Sequence, residues 1–129
     1  ENLARVGLLL LNNGRWEDRQ LLSAEWIKTA SRPHADAHLP MYDPEGCYSV
    51  IRGAYGLGFW VNGVRPDGNR LWPDAPAGTF AIQGNLNNIC LIVPEWDLLL
   101  VRLGMDSRID NDRYTEVFAR LKKAIKDLP

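Results

Sequence analysis

Cysteine is scarce in this sequence: its 129 residues hold two, Cys47 and Cys90, and no Cys-x-x-Cys pair. Two thiols so placed make neither a disulfide framework nor a zinc ligand set, so both read as packed or free. An excess of one charge is missing too. Lys and Arg number 15 against 16 Asp and Glu, a formal net charge of -1 with no basic run. That argues against nucleic acid or an anionic membrane as the main partner. No apolar stretch approaches the ~20 residues of a membrane span. The opening, Glu1-Asn2-Leu3-Ala4-Arg5, has no methionine and no signal-peptide cleavage site, and enters a helical pattern at once. This reads as a chain cut from something longer. Internal repeats and low-complexity tracts are absent as well.

What is present suits one domain spanning 1–129, with 46% hydrophobic residues for a modest core. Leu3, Val6, Leu10 and their neighbours recur at helical spacing and predict a helix over 2–12, stopped by Asn13-Gly14. Arg15 to Gln20 reads as a polar turn. Ser23 is a good N-cap for a second helix over 24–31, with Glu25 in its first turn and Leu22 and Ile27 at staple positions. Residues 32–54 carry three prolines without periodicity and predict a long loop.

Tyr55 to Val61 is aromatic and β-branched and predicts a strand, followed by a Pro-rich connection over 69–78 that carries Trp72. Strands are expected at 79–83, 89–93 and 98–103, the last two joined antiparallel through Pro94-Glu95-Trp96-Asp97. Tyr114, Val117, Phe118, Leu121 and Ile125 form the apolar stripe of a final helix. The expected class is α+β, an antiparallel sheet packed against N- and C-terminal helices.

The order of several segments resembles one family. Leu3-Ala4-Arg5-Val6-Gly7-Leu8-Leu9-Leu10-Leu11-Asn12-Asn13-Gly14-Arg15-Trp16, then Leu21-Leu22-Ser23-Ala24-Glu25-Trp26-Ile27, resembles a stretch of the serine β-lactamase-like hydrolases. So does Tyr55-Gly56-Leu57-Gly58-Phe59-Trp60. So does Phe80 to Asn88, followed by Val93-Pro94-Glu95-Trp96-Asp97-Leu98 and Val101-Arg102-Leu103-Gly104. The group includes penicillin-binding proteins, class C β-lactamases, related esterases and 6-aminohexanoate-dimer hydrolases. The resemblance implies the C-terminal part of a β-lactamase/transpeptidase-like fold. It further implies an acyl-enzyme hydrolase of small esters or amides, with no cofactor, in a bacterium, periplasmic or cytoplasmic.

That chemistry uses a Ser-x-x-Lys nucleophile and base, a Tyr-x-Asn proton shuttle, and a Lys-Thr-Gly or His-x-Gly triplet beside an oxyanion-binding N–H. Ser23, Ser31, Ser49 and Ser107 are followed three residues on by Trp26, His34, Arg52 and Asp110, so none is Ser-x-x-Lys. Tyr42, Tyr48, Tyr55 and Tyr114 lack the Asn two residues on. There is no Gly-x-Ser-x-Gly elbow either. The third motif falls on Asn85-Leu86-Asn87, with Asn88 after it. By this resemblance Asn88 offers a backbone oxyanion donor, and Asn85 and Asn87 contact substrate. An uncharged Asn85 in place of Lys or His favours an esterase or amidase over recognition of a β-lactam carboxylate.

His34-Ala35-Asp36-Ala37-His38 has the residue types of a metal site, but Pro33 and Pro40 bracket it and no third ligand is evident, so no metal is expected. Trp60, Trp72 and Tyr55 are cleft-wall candidates, with Trp60 better read as core. Two readings result. In one, the chain is the C-terminal segment of a serine hydrolase, inactive without a missing N-terminal segment. In the other it is a non-catalytic binding or assembly module of the same fold. Either leaves an open sheet edge for the missing segment or for self-association.

Overall fold

A computed structural model describes residues 2–34, 52–105 and 111–125, without the side chains of 111 and 112. Three helices and six strands follow in the order α1 (Asn2–Leu11), β1 (Arg15–Trp16), β2 (Arg19–Gln20), α2 (Ala24–Ala30), β3 (Trp60–Val61), β4 (Phe80–Gln83), β5 (Ile89–Val93), β6 (Leu98–Arg102) and α3 (Asn111–Ala124). The α+β class holds, with an antiparallel four-stranded meander, β3-β4-β5-β6, at its centre.

Strand β5, Ile-Cys-Leu-Ile-Val, is buried at all five positions because helices or loops cover both faces of the sheet. Alternation along the strand divides the core in two. Ile89, Leu91 and Val93 join Leu71, Trp72, Ala75, Tyr114 and Phe118 on the α3 face. Cys90 and Ile92 join Leu10, Ile27, Phe59, Val61 and Phe80 on the α1/α2 face. Ring contacts carry each cluster outward. Trp26, Phe59 and Phe80 step from α2 to the sheet at centroid distances of 6.1 and 5.3 Å. Trp72 and Trp96 both meet Phe118 on the other face.

Gly7 explains how close α1 comes to the sheet. A Cβ built there would lie 2.5 Å from both Cys90 Sγ and Leu99 Cδ1, so only a glycine lets the helix rest on β5 and β6. The expected stop is also present. Asn13 and Gly14 take positive φ, and the Gly14 N–H donates to Leu9 O at 2.8 Å. Ser23 caps α2, its Oγ accepting from the Trp26 N–H at 3.2 Å.

Several expected elements differ. The polar turn at 15–20 is a small hairpin, Arg15 opposite Gln20, turned by Glu17 at φ 51. The strand expected over 55–61 folds back on itself. Tyr55 bridges Trp60, the Gly56 N–H donates to Phe59 O, and Gly58 turns at φ +87, leaving β3 with two residues. Two glycines in that aromatic run supply the reversal that its β-propensity hides. The fold-back also ends α2, since the Leu57 N–H donates to Ala30 O at 3.0 Å. The connection over 69–78 contributes Leu71, Trp72 and Ala75 to the core. The loop expected over 32–54 lies mostly outside the described residues, and with it Asp36, His38 and Cys47.

Strand β6 pairs with β5 on one side, Ile89 opposite Arg102 through Val93 opposite Leu98, and with no described strand on the other. Its five residues are all half-buried, and Leu103 and Met105 beyond them are exposed. No helix of the described residues is long and apolar enough to cross a membrane.

Candidate functional site

Asn85, Asn87 and Asn88 come together in the turn that joins β4 to β5. Residues Asn85–Asn87 form a single 3-10 turn interrupted by a kink, where Leu86 takes φ 58 and ψ 27. Asn87 follows at φ 55. Two consecutive non-glycine residues in the left-handed region cost roughly 1 kcal/mol or more each, least for Asn, so the surroundings must hold them there.

Arg102 at the end of β6 does so. Its Nη1 donates to Leu86 O at 3.2 Å and to Asn87 O at 2.8 Å, and its guanidinium lies against Gly104, where a built Cβ would be 2.9 Å from Nη2. Asn88 ties the same ends together, accepting from the Gly104 N–H at 2.9 Å and donating from Nδ2 to Asn85 O at 2.8 Å. Gln83 Nε2 donates to Asn87 Oδ1 at 3.1 Å. Tyr114 feels the same guanidinium, and its buried hydroxyl has no hydrogen-bond partner among the described residues. Burial pushes that phenol above its ordinary value, and the Arg102 charge pulls it partly back.

The three expected residues therefore differ in what they offer. Asn85 is exposed; its Oδ1 is engaged by the Leu86 N–H at 2.9 Å, and its Nδ2 donates to no described residue. Asn87 is held by Gln83 and, through its carbonyl, by Arg102. The Asn88 N–H, expected to face a substrate oxygen, donates inward to Asn85 O at 3.3 Å, a long bond within the turn. Chemically the turn presents one exposed amide donor on a rigid frame.

No protein-family model matches the chain, and no curated protein does.

The rest of the described surface holds no nucleophile set up for attack. Cys90 is wholly buried beneath Gly7, and burial pushes its thiol up to about 11. No group of three or more His, Cys, Asp or Glu gathers among the described residues. Of the three cleft-wall candidates, Trp72 is wholly buried and Trp60 packs against the same core. Tyr55 stacks edge-on to Trp60 at 5.3 Å.

A cleft of about 1040 Å³ opens at the opposite end of β4, bounded by the end of α1, α2, residues 61–65, Ala77 to Phe80, and Pro94-Glu95. The sequence does not announce it, because its walls come from stretches scattered between Leu10 and Glu95.

Proposed function

We propose that this chain is the C-terminal part of a serine hydrolase of the β-lactamase/penicillin-binding-protein type, supplying one wall of an acyl-transfer site. The nucleophile and its base come from polypeptide outside these residues, and the chain alone is inactive. The observation that carries this reading is Asn87. The family's triplet has its glycine at that position, and here the backbone takes φ 55, a conformation that favours glycine. Asn85, one step before the kink and exposed, is the substrate-facing donor for an ester or amide carbonyl; Asn88 serves as oxyanion donor only if its N–H turns away from Asn85 O.

The half-buried outer edge of β6 supports the second part of the reading. An edge of five largely apolar residues that no described strand pairs favours addition of another strand, from the missing N-terminal segment or from a second copy. One observation favours the rival, a non-catalytic binding or assembly module: the Asn88 N–H and Asn85 Oδ1 are both satisfied inside the turn.

The test is acylation. The isolated chain, exposed to a fluorescent penicillin and a fluorophosphonate, should show no adduct by mass spectrometry and no turnover of p-nitrophenyl acetate. The longer polypeptide should carry Ser-x-x-Lys ahead of Glu1, be labelled there, and lose at least tenfold in kcat/KM with Asn85→Ala. A longer polypeptide without Ser-x-x-Lys, or one whose labelling ignores Asn85→Ala, would sink the hydrolase reading and leave the binding module.

A further inference from the structure

The cleft at the Phe80 end of β4 is separate from the Asn85–Asn88 turn, since Phe80 pairs with Ile92 and Gln83 with Ile89 at the two ends of the same ladder. Its floor rests on the buried cluster of Leu10, Ile27, Val61 and Phe80, and its open apolar lining is Ala24, Pro33, Val64, Ala77 and Pro94. Its rim is cationic. Lys28, Arg32, Arg65 and Arg70 face it against Glu25 and Glu95, four positive groups to two negative.

The partners of these groups sharpen the imbalance. Glu95 is already engaged, its Oε1 accepting from the Gly78 N–H at 2.7 Å. Arg65 is shared with Asp67 at 3.1 Å. Lys28, Arg32 and Arg70 have no carboxylate partner among the described residues; Arg70 spends Nη1 on Asn62 O at 2.7 Å and keeps the rest of its fork.

The wall that carries Arg65 and Arg70 is rigid before any ligand arrives. Buried Asn62 donates through Nδ2 to the carbonyls of Trp72, Ala75 and Pro76 and accepts the Trp72 N–H at 2.8 Å. Gly63 backs onto the Gly53 carbonyl so closely that a built Cβ would collide with it. A largely apolar pocket with a few fixed polar groups, near the upper end of the usual ~300–1,000 Å³, is the common form of a small-molecule site.

We propose that this cleft binds an anion carrying an apolar body of medium-chain acyl size. The head group pairs with Lys28, Arg32 and Arg70, and the body lies along the exposed apolar lining, Ala24, Pro33, Val64, Ala77 and Pro94. This inference stands without the hydrolase reading, since it uses none of the turn residues. Arginine forks suit carboxylate and phosphate alike, so the head group is one of those two.

The experiment is calorimetric titration of the whole chain with decanoate, decyl phosphate, decanol and acetate, each below its aggregation concentration. Either decanoate or decyl phosphate should bind with Kd below roughly 1 mM, and the tighter of the two names the head group. Decanol and acetate should bind at least tenfold more weakly. The double variant Lys28→Gln/Arg32→Gln, both exposed, should weaken the anion about tenfold while leaving decanol unchanged. Ala77→Trp, at an exposed lining position, should abolish binding with the circular dichroism spectrum intact. Equal binding of decanol and decanoate, indifference to both variants, or no binding by any probe would overturn the proposal.

Discussion

Replacing Gly7 with alanine tests whether α1 truly lies on the sheet. In a solvent-exposed helix interior, Gly→Ala stabilises by about 1 kcal/mol, because glycine has the larger backbone entropy to lose. Here the new methyl would sit 2.5 Å from Cys90 Sγ and from Leu99 Cδ1. Leu99 is half-buried and can rotate, but Cys90 is fully buried in the central strand and cannot. Overpacking of this kind costs roughly 1–3 kcal/mol, so the sign should reverse to a net loss of about 1 kcal/mol. Urea unfolding by fluorescence of the five tryptophans measures it. Cys90→Ala alone should cost about 1 kcal/mol for the lost buried sulfur. Combined with Gly7→Ala it should cost less than the sum, by about 1 kcal/mol, because the sulfur is what the methyl strikes. A Gly7→Ala protein more stable than the parent, or strict additivity with Cys90→Ala, would refute the packing argument.

Two further outcomes follow from buried groups. Asn62→Ala should cost about 2–4 kcal/mol in the same unfolding assay, since it strands the Trp72 N–H and three carbonyls; a loss under 0.5 kcal/mol would mean the wall at 72–76 is not held by that amide. Cys90 has its thiol raised to about 11 from an ordinary 9.0 because burial disfavours the thiolate, so the folded state holds the proton longer than the unfolded one. Its contribution is therefore full below pH 9.0 and is lost as pH rises toward about 11. Urea midpoints from pH 8 to 11 should fall more steeply than those of Cys90→Ala, and parallel profiles would contradict this.

The sequence was most legible where neighbours in the chain are neighbours in space. Ile89 to Val93 reads as a strand because five apolar residues stand in a row, and is found with those bounds; Pro94 to Asp97 reads as its turn, and is found as a 3-10 turn over Pro94–Trp96 capped by Asp97. Ser23 and Asn13-Gly14 likewise announced helix ends by local chemistry. Local chemistry also misled. Tyr55 to Trp60 has the composition of a strand, but Gly56 is pinned under the end of α2, and that tertiary contact turns the run into a hairpin. At the turn, motif position points to Asn85 to Asn88, whereas nothing local says that Arg102, 15 residues from Asn87, is what holds it. The cleft was illegible for the same reason. Its cations are scattered from Lys28 to Arg70, and only the fold gathers them.

The packing of Gly7 against Cys90 also bears on the time course of folding. Strands β4, β5 and β6 pair within Phe80 to Arg102 through two short turns, a local assembly. Docking of α1 instead joins positions 83 apart, 90 − 7. Closing a loop of that length rather than one of ten residues costs about 2 kcal/mol more in chain entropy. The meander should therefore form first and α1 should dock on it afterwards, which assigns the helix a small share in the transition state. Gly7→Ala would then speed unfolding and leave the refolding rate nearly unchanged, a division that stopped-flow chevrons separate directly. Slowed refolding would place α1 in the nucleus instead.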